Sequence, residues 1–307
     1  MKAIRGKKLT SREAARALGV SEASVKRWAD SGLLAAEKTA GGHRRFRPED
    51  VAAVLRAGVR ETEPRAAGKL VATSAATSAP AAEVKLGPAR EAALAEEAFD
   101  ALTGGRVEDL SALVVSLHLH GRTVGAIADR FLCPAMRRVG DLWHSGEMTV
   151  AQEHVATRTA SDALDALGDA AARAGDRRPL ALCCSVEEDF HALPVRLAAV
   201  TLEAAGFEVF DVGLSTPFFA LTETLERFRP RLVCVSSTLL GGLDRAAREY
   251  ADFRRAARRR GAAVVLGGAG FAGGGVRQRF PADLHADSFR QLEEFAASVD
   301  AVDAGES

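Results

Sequence analysis

Residues 180–194 read Leu-Ala-Leu-Cys-Cys-Ser-Val-Glu-Glu-Asp-Phe-His-Ala-Leu-Pro. The apolar run Leu180–Cys184 is too short for a helix and gives way at once to a charged loop, which marks a buried strand. The same apolar pattern returns at Glu208–Val212, Leu232–Val235 and Ala263–Leu266, with a weaker fifth run near Ala282–His285. Helical periodicity fills the intervals. Strands alternating with helices predict a parallel, doubly wound sheet over residues 176–307. In such sheets ligands bind beyond the carboxyl ends of the strands, so the loop after Cys184 is the first place to look for chemistry.

Upstream, residues 89–175 carry only helical signals. Helices are expected over Glu91–Leu102, Glu108–Leu119, Val124–Trp143 and Val150–Ala174, joined by short glycine-containing turns, which predicts an antiparallel four-helix bundle. Residues 61–88 are dominated by Ala, Ser, Thr, Pro and Gly and read as a flexible linker.

Residues 1–60 form a separate helical unit. Thr10 and Glu13 have capping-box spacing, Ser21 suits the N-cap of a second helix, and Gly32 ends that helix. Ala40-Gly41-Gly42 supplies the turn of a small hairpin, and Pro48 opens a further helix. The chain's net charge is zero, yet this segment holds fourteen Lys and Arg against six Asp and Glu. A basic head on an acidic body suggests one end built for a polyanion. In a helix-turn-helix the second helix enters the major groove while basic neighbours clamp phosphates. Ser24, Lys26 and Arg27 lie on the polar side of that helix, with Val25 and Trp28 facing inward. His43, Arg44 and Arg45 follow the hairpin turn, where two guanidiniums suit backbone or minor-groove contact. His43 has no second ligand at metal-binding spacing and reads as a phosphate neighbour.

The string Ser21-x-x-Ser-Val-Lys-Arg-Trp-Ala-Asp-Ser-Gly-Leu-Leu34 followed by Thr39-Ala-Gly-Gly-His-Arg-Arg-Phe46 resembles the MerR superfamily head, particularly its short BldC-like branch. The resemblance covers residues 8–58 and implies a winged helix-turn-helix that binds double-stranded operator DNA.

Asp189 and His191 form an Asp-x-His unit at a strand end. The carboxylate can hold one ring nitrogen and leave the other as a better metal donor, although the same spacing fits an ordinary surface pair. Ser237-Thr238-Leu239 and Gly267-Gly268 stand at the ends of the third and fourth strands, on the same sheet edge. Small residues there permit close approach of a bulky group. Spacings of 46 residues from His191 to Ser237 and 30 from Ser237 to Gly267 complete a set that resembles cobalamin-binding Rossmann-like domains. That resemblance implies that His191 is the lower cobalt ligand and that the cofactor's nucleotide tail passes Ser237, Leu239, Gly267 and Gly268. Pro194 stands where the family usually has glycine.

In the bundle, Trp143-His144-x-Gly146 and Glu153-His154 resemble the cap of CarH-like photoreceptor regulators. The resemblance implies that Trp143, Val150, Glu153 and His154 line the pocket of the upper ligand, and that His144 is the candidate upper cobalt ligand after photolysis. It implies adenosylcobalamin as cofactor, with methylcobalamin or another cobalamin as the alternative. It also implies a homo-oligomer, dimer or tetramer, acting in the cytoplasm as a light-responsive repressor and not as an enzyme. Three other readings stay open: a light-independent corrinoid sensor, a corrinoid carrier for a methyltransferase or mutase, and a DNA-binding protein without ligand. His118, His120 and His285 read as structural or solvated. Cys133, Cys183, Cys184 and Cys234 lack metal-site spacing and read as reduced thiols. No stretch has the ~20 apolar residues of a membrane helix.

Overall fold

The computed structural model describes residues 8–18, 22–30, 32–39, 41–48, 50, 51, 54, 87–172 and 178–304. The chain divides into two compact units: residues 1–123 with 131–170, and residues 124–130 with 171–307. Residues 61–86, most of the expected linker, lie outside the described residues.

The first unit contains the head and most of the helical region. Helix α1 spans Ser11–Leu18 and α2 Glu22–Asp30. The capping box forms as its spacing predicts. The Thr10 N–H donates to Glu13 Oε2 and the Glu13 N–H to Thr10 Oγ1, at 2.5 and 3.2 Å. Strands β1 (Glu37–Lys38) and β2 (Arg44–Arg45) pair antiparallel as a minimal wing. Gly42, at φ +78°, supplies the left-handed step of the turn between them. Val25, Trp28, Leu34, Phe46 and Val51 form the buried centre of the head.

Helices α3 (Pro88–Thr103), α4 (Val107–Leu119), α6 (Cys133–His144) and α7 (Val150–Ala171) follow. The single helix expected over Val124–Trp143 is broken. It runs as a short α5 (Val124–Ile127), a π-helical turn Ala128–Leu132, and then α6. The cause is Pro134, near the start of α6: proline donates no N–H and its ring clashes with the carbonyl four residues back. The break also separates loyalties. Within the second unit, Asp129 accepts the backbone N–H groups of Phe289 and Arg290, both at 2.9 Å, at the start of the last helix.

The second unit is a five-stranded parallel sheet in the order β4-β3-β5-β6-β7. Its strands are β3 (Leu180–Val186), β4 (Glu208–Thr216), β5 (Leu232–Ser236), β6 (Ala263–Gly267) and β7 (Leu284–Ala286). Helices α8 (Ala192–Ala204), α9 (Phe218–Phe228), α10 (Leu243–Arg260), α11 (Gly274–Arg279) and α12 (Phe289–Ala304) connect and follow them. Each central strand is apolar on both sides because both faces are covered. From β3, Leu182, Cys184 and Val186 point into a cluster with Phe218, Tyr250, Phe253 and Phe280. Ala181 and Cys183 point the other way, toward Val195, Leu202, Phe207 and Leu292. Cys183 and Cys234 lie in register on neighbouring strands, and a hydrogen bond with Cys234, together with burial, pushes the Cys183 thiol far up. These buried thiols are packing groups in this sheet.

Candidate functional site

The carboxyl ends of β3, β4 and β5 meet at Asp189. Its side chain is 1% exposed, a costly place for a carboxylate unless its oxygens are hydrogen-bonded. Both are. The backbone N–H of His191 (3.0 Å) and ring Nδ1 of His191 (2.6 Å) reach Oδ1, while the Thr238 N–H reaches Oδ2. Burial alone would raise the Asp189 carboxyl, but these donors outweigh it and hold it below its usual range. An ionised carboxylate can only accept, so Nδ1 carries the hydrogen, and in the neutral ring Nε2 is the nitrogen with the free lone pair. The His191 ring is half exposed, and its Nε2 is a donor of electron pairs on a fixed mount.

Two serines that the sequence reading passed over support this loop. Ser185 Oγ–H donates to the Asp189 carbonyl (2.6 Å) and accepts the Ser215 N–H (2.9 Å); Ser215 Oγ accepts the Glu188 N–H (2.9 Å). Glu188 and Ser215 sit at φ +65° and +52°, conformations that cost non-glycine residues energy. Strain at two facing loop residues, on the sheet edge that carries the Asp-x-His unit, is a mark of a functional loop. Their strand-end positions were the only signal in the sequence, and serine is common there.

Ser237 is fully buried, and its N–H donates to the Gly267 carbonyl at 2.9 Å. A Cβ on Gly268 would lie 2.3 Å from the Ser237 carbonyl oxygen, and one on Gly270 would lie 2.2 Å from Ser237 Oγ. Glycine is therefore demanded by contact as well as by the φ of +95° at Gly268. Gly270 was not among the expected residues. Leu239 and Phe190 are 65% and 73% exposed, two apolar side chains left in water beside the Asp189 loop. Pro194 is harmless to the fold: His191 is the N-cap of α8, so Pro194 falls in the first turn, where no N–H is needed.

The bundle residues gather at the α6–α7 corner of the other unit. Trp143 and His144 meet edge to face with ring centroids 6.4 Å apart. Glu153 Oε2 lies 3.6 Å from His154 Nε2, and Thr157 Oγ1–H donates to Glu153 Oε1 at 2.6 Å. A reciprocal Thr149–Gln152 capping box fixes the start of α7. Trp143, Val150 and His154 are all largely exposed. The other histidines bond locally: His118 and His120 to the carbonyls of Arg122 and Ser116, at 3.0 and 2.7 Å. His285 lies in β7 with Nε2 at 2.8 Å from the Phe280 carbonyl. Among the described residues no three His, Cys, Asp or Glu converge as an ion-holding cluster.

In the head, Lys26 is exposed on α2, within 3.9 Å of Glu22. Ser24 and Arg27 lie on the same helix, but their side chains are outside what is described. The wing tip is Gly41-Gly42-His43, and Arg44 and Arg45 stand lower, half-buried in β2. Arg44 pairs with Asp30 at 2.5 Å and braces the wing against the end of α2.

Three protein families match in chain order. Residues 9–59 match the helix-turn-helix domain, while residues 94–167 and 179–283 match two B12 binding domains. The HTH-type transcriptional repressor CarH of Myxococcus xanthus is 33% identical over 144 residues, 46% of each chain. The present chain thus spans about half the length of that relative. Monomethylamine corrinoid protein 2 of Methanosarcina acetivorans is 24% identical over 211 residues, 66% of this chain and 95% of its own. The solved monomethylamine corrinoid protein of Methanosarcina barkeri shares the fold, with a TM-score of 0.57 at 19% identity, over 68% of this chain and 99% of its own. The chain therefore joins a helix-turn-helix domain to the helical and α/β parts of a B12-binding architecture.

Proposed function

We propose that the chain is a cobalamin-binding transcriptional regulator, and specifically a light-responsive repressor that uses adenosylcobalamin to control oligomerisation and DNA binding. The observation that carries the cobalamin reading is the buried Asp189 that fixes the His191 tautomer on the sheet's ligand-binding edge. The residues present fit the group. His191 would offer Nε2 to cobalt, Phe190 and Leu239 would meet the apolar faces of a large ring, and the Ser237–Gly268–Gly270 contact would border the nucleotide tail. Bound adenosylcobalamin would supply a cobalt–carbon bond that light can break.

The chain's own residues would do the rest. Trp143 and Val150, apolar and exposed, would cover the upper ligand, while Glu153 and His154 would meet its polar edges. His144 would offer a further imidazole to cobalt. Lys26, Arg27, Ser24 and the wing residues His43, Arg44 and Arg45 would hold double-stranded operator DNA, and a dimer or tetramer would match a symmetric operator. The repressor reading follows the Myxococcus relative, a transcriptional repressor.

A carrier role for a methyltransferase is the second reading, favoured by the likeness to monomethylamine corrinoid proteins over residues shared with the helical and α/β parts. A helix-turn-helix domain has no place in that reading. The test is mass by light scattering and duplex DNA binding of the adenosylcobalamin-loaded chain, dark and illuminated. Loss of assembly and of DNA binding in light is expected. Identical mass and affinity in both conditions would leave a light-independent sensor, and no DNA binding in either would leave a carrier.

A further inference from the structure

The head and the bundle share one hydrophobic cluster. Val115 of α4 and Ala166 of α7 are buried among Ala14, Ala15, Ala17, Val25 and Trp28 of the head, with Leu18, Leu119 and Ala170 packed at the margin. Polar contacts rim it. Arg16 of α1 pairs with Glu97 of α3 and, at 3.0 Å, with Asp109 of α4, and Arg106 holds Asp109 from its own helix at 3.1 Å. An apolar centre within a charged rim is the anatomy of a specific interface.

The contact uses α1 and leaves the DNA-facing parts free: Lys26 and the Gly41-Gly42-His43 tip remain exposed. On the bundle side, α7 is one uninterrupted helix of 22 residues. Glu153 and His154 stand in its first turn, and Ala166 and Ala170 stand near its end. At 1.5 Å per residue, His154 and Ala166 are about 18 Å apart along one rigid rod. Ala163, Leu164 and Leu167 of the same rod are fully buried as well.

We infer that the α4–α7 face of the bundle is the docking surface for the chain's own DNA-binding head, and that α7 carries a displacement at Glu153–His154 into the head through Ala166 and Ala170. The docking stands on packing alone; its coupling to cobalamin rests on the function proposed above. The head's orientation is then a property of the bundle, and the segment between them need only be long enough.

Hydrogen exchange on the full chain separates the two halves of this inference. Without cofactor, amides of Ala14–Leu18 should be protected, and Ala166→Glu or Ala170→Glu should speed their exchange by at least ~10-fold while α6 and the sheet stay unchanged. Arg16→Glu should do the same more weakly, and the added changes Glu97→Arg and Asp109→Arg should restore protection. Unchanged exchange in α1 for both alanine variants would overturn the docking. Adding adenosylcobalamin should alter α1 exchange in the wild-type chain and not in Ala170→Glu. A cobalamin-bound wild-type chain, so identified by its absorbance, with α1 exchange unaltered would overturn the coupling alone. Failure of adenosylcobalamin to bind would overturn the function reading and the coupling with it, leaving the docking to be judged on the cofactor-free data.

Discussion

Replacing Asp189 by asparagine changes almost no volume and removes one charge, so its effect isolates the role of that carboxylate. Two oxygens now accept three donors: the His191 N–H, the His191 ring Nδ1–H and the Thr238 N–H. An amide has one acceptor oxygen. Turned toward His191, it sets its NH2 against the Thr238 N–H; turned the other way, it opposes both His191 donors. At least one buried donor is left without an acceptor, at about 1–3 kcal/mol, and the remaining bonds lose their charge assistance. With Asp189 nearly inaccessible, solvent cannot make up the loss. A destabilisation of about 2 kcal/mol in a sheet unit of this size should lower its thermal midpoint by roughly 4–8 °C. The variant should also bind adenosylcobalamin ~10–100-fold more weakly, as removal of an orienting partner does for metal-ligating histidines. Thermal unfolding of the cofactor-free chain and an absorbance titration with adenosylcobalamin measure both. Wild-type values in both experiments would refute the assignment of Asp189 as the mount of His191.

Gly268→Ala should destabilise the α/β unit by about 3 kcal/mol, because its Cβ meets the Ser237 carbonyl at 2.3 Å and its φ is +95°; denaturant unfolding would show it, and an unchanged midpoint would contradict the close contact. Arg44→Ala with Arg45→Ala should weaken duplex DNA binding and lower the slope of log affinity against log salt by up to about 2, read by titration at several salt concentrations. Since Arg44 also braces the wing through Asp30, Asp30→Ala should weaken binding to a smaller degree without a change of salt slope. His144→Ala should load cofactor normally in the dark and fail to form the illuminated spectrum of a second axial imidazole.

Much of the sheet was legible because its strands are buried on both faces and read as plain apolar runs between helices. β3, β5 and β6 extend one or two residues beyond their expected ends, and those extra residues, Val186, Ser236 and Gly267, are where the site begins. β4 extends furthest, to Thr216, and among its added residues Gly213–Thr216 only Leu214 is apolar, too little to read as a strand. The helix through Pro134 was misread as continuous: periodicity in the flanking turns is strong, and a π-helical turn keeps the chain helical while shifting register. Asp189 and His191 could be found by spacing. Ser185 and Ser215 could not, since their role depends on backbone groups 4 and 30 residues away that only the folded loop brings to one place. The docking of α1 on α4 and α7 was equally invisible. Alanines at 166 and 170 look like any helix surface until the partner face is known.

His191 is the residue on which cobalamin binding turns. An absorption spectrum of the adenosylcobalamin-loaded chain, taken beside that of His191→Ala, tests this directly. The wild-type chain should show cobalamin with its own base displaced by a protein imidazole, and His191→Ala should lose that signature and most of its affinity. Identical spectra and affinities for the two proteins would contradict it.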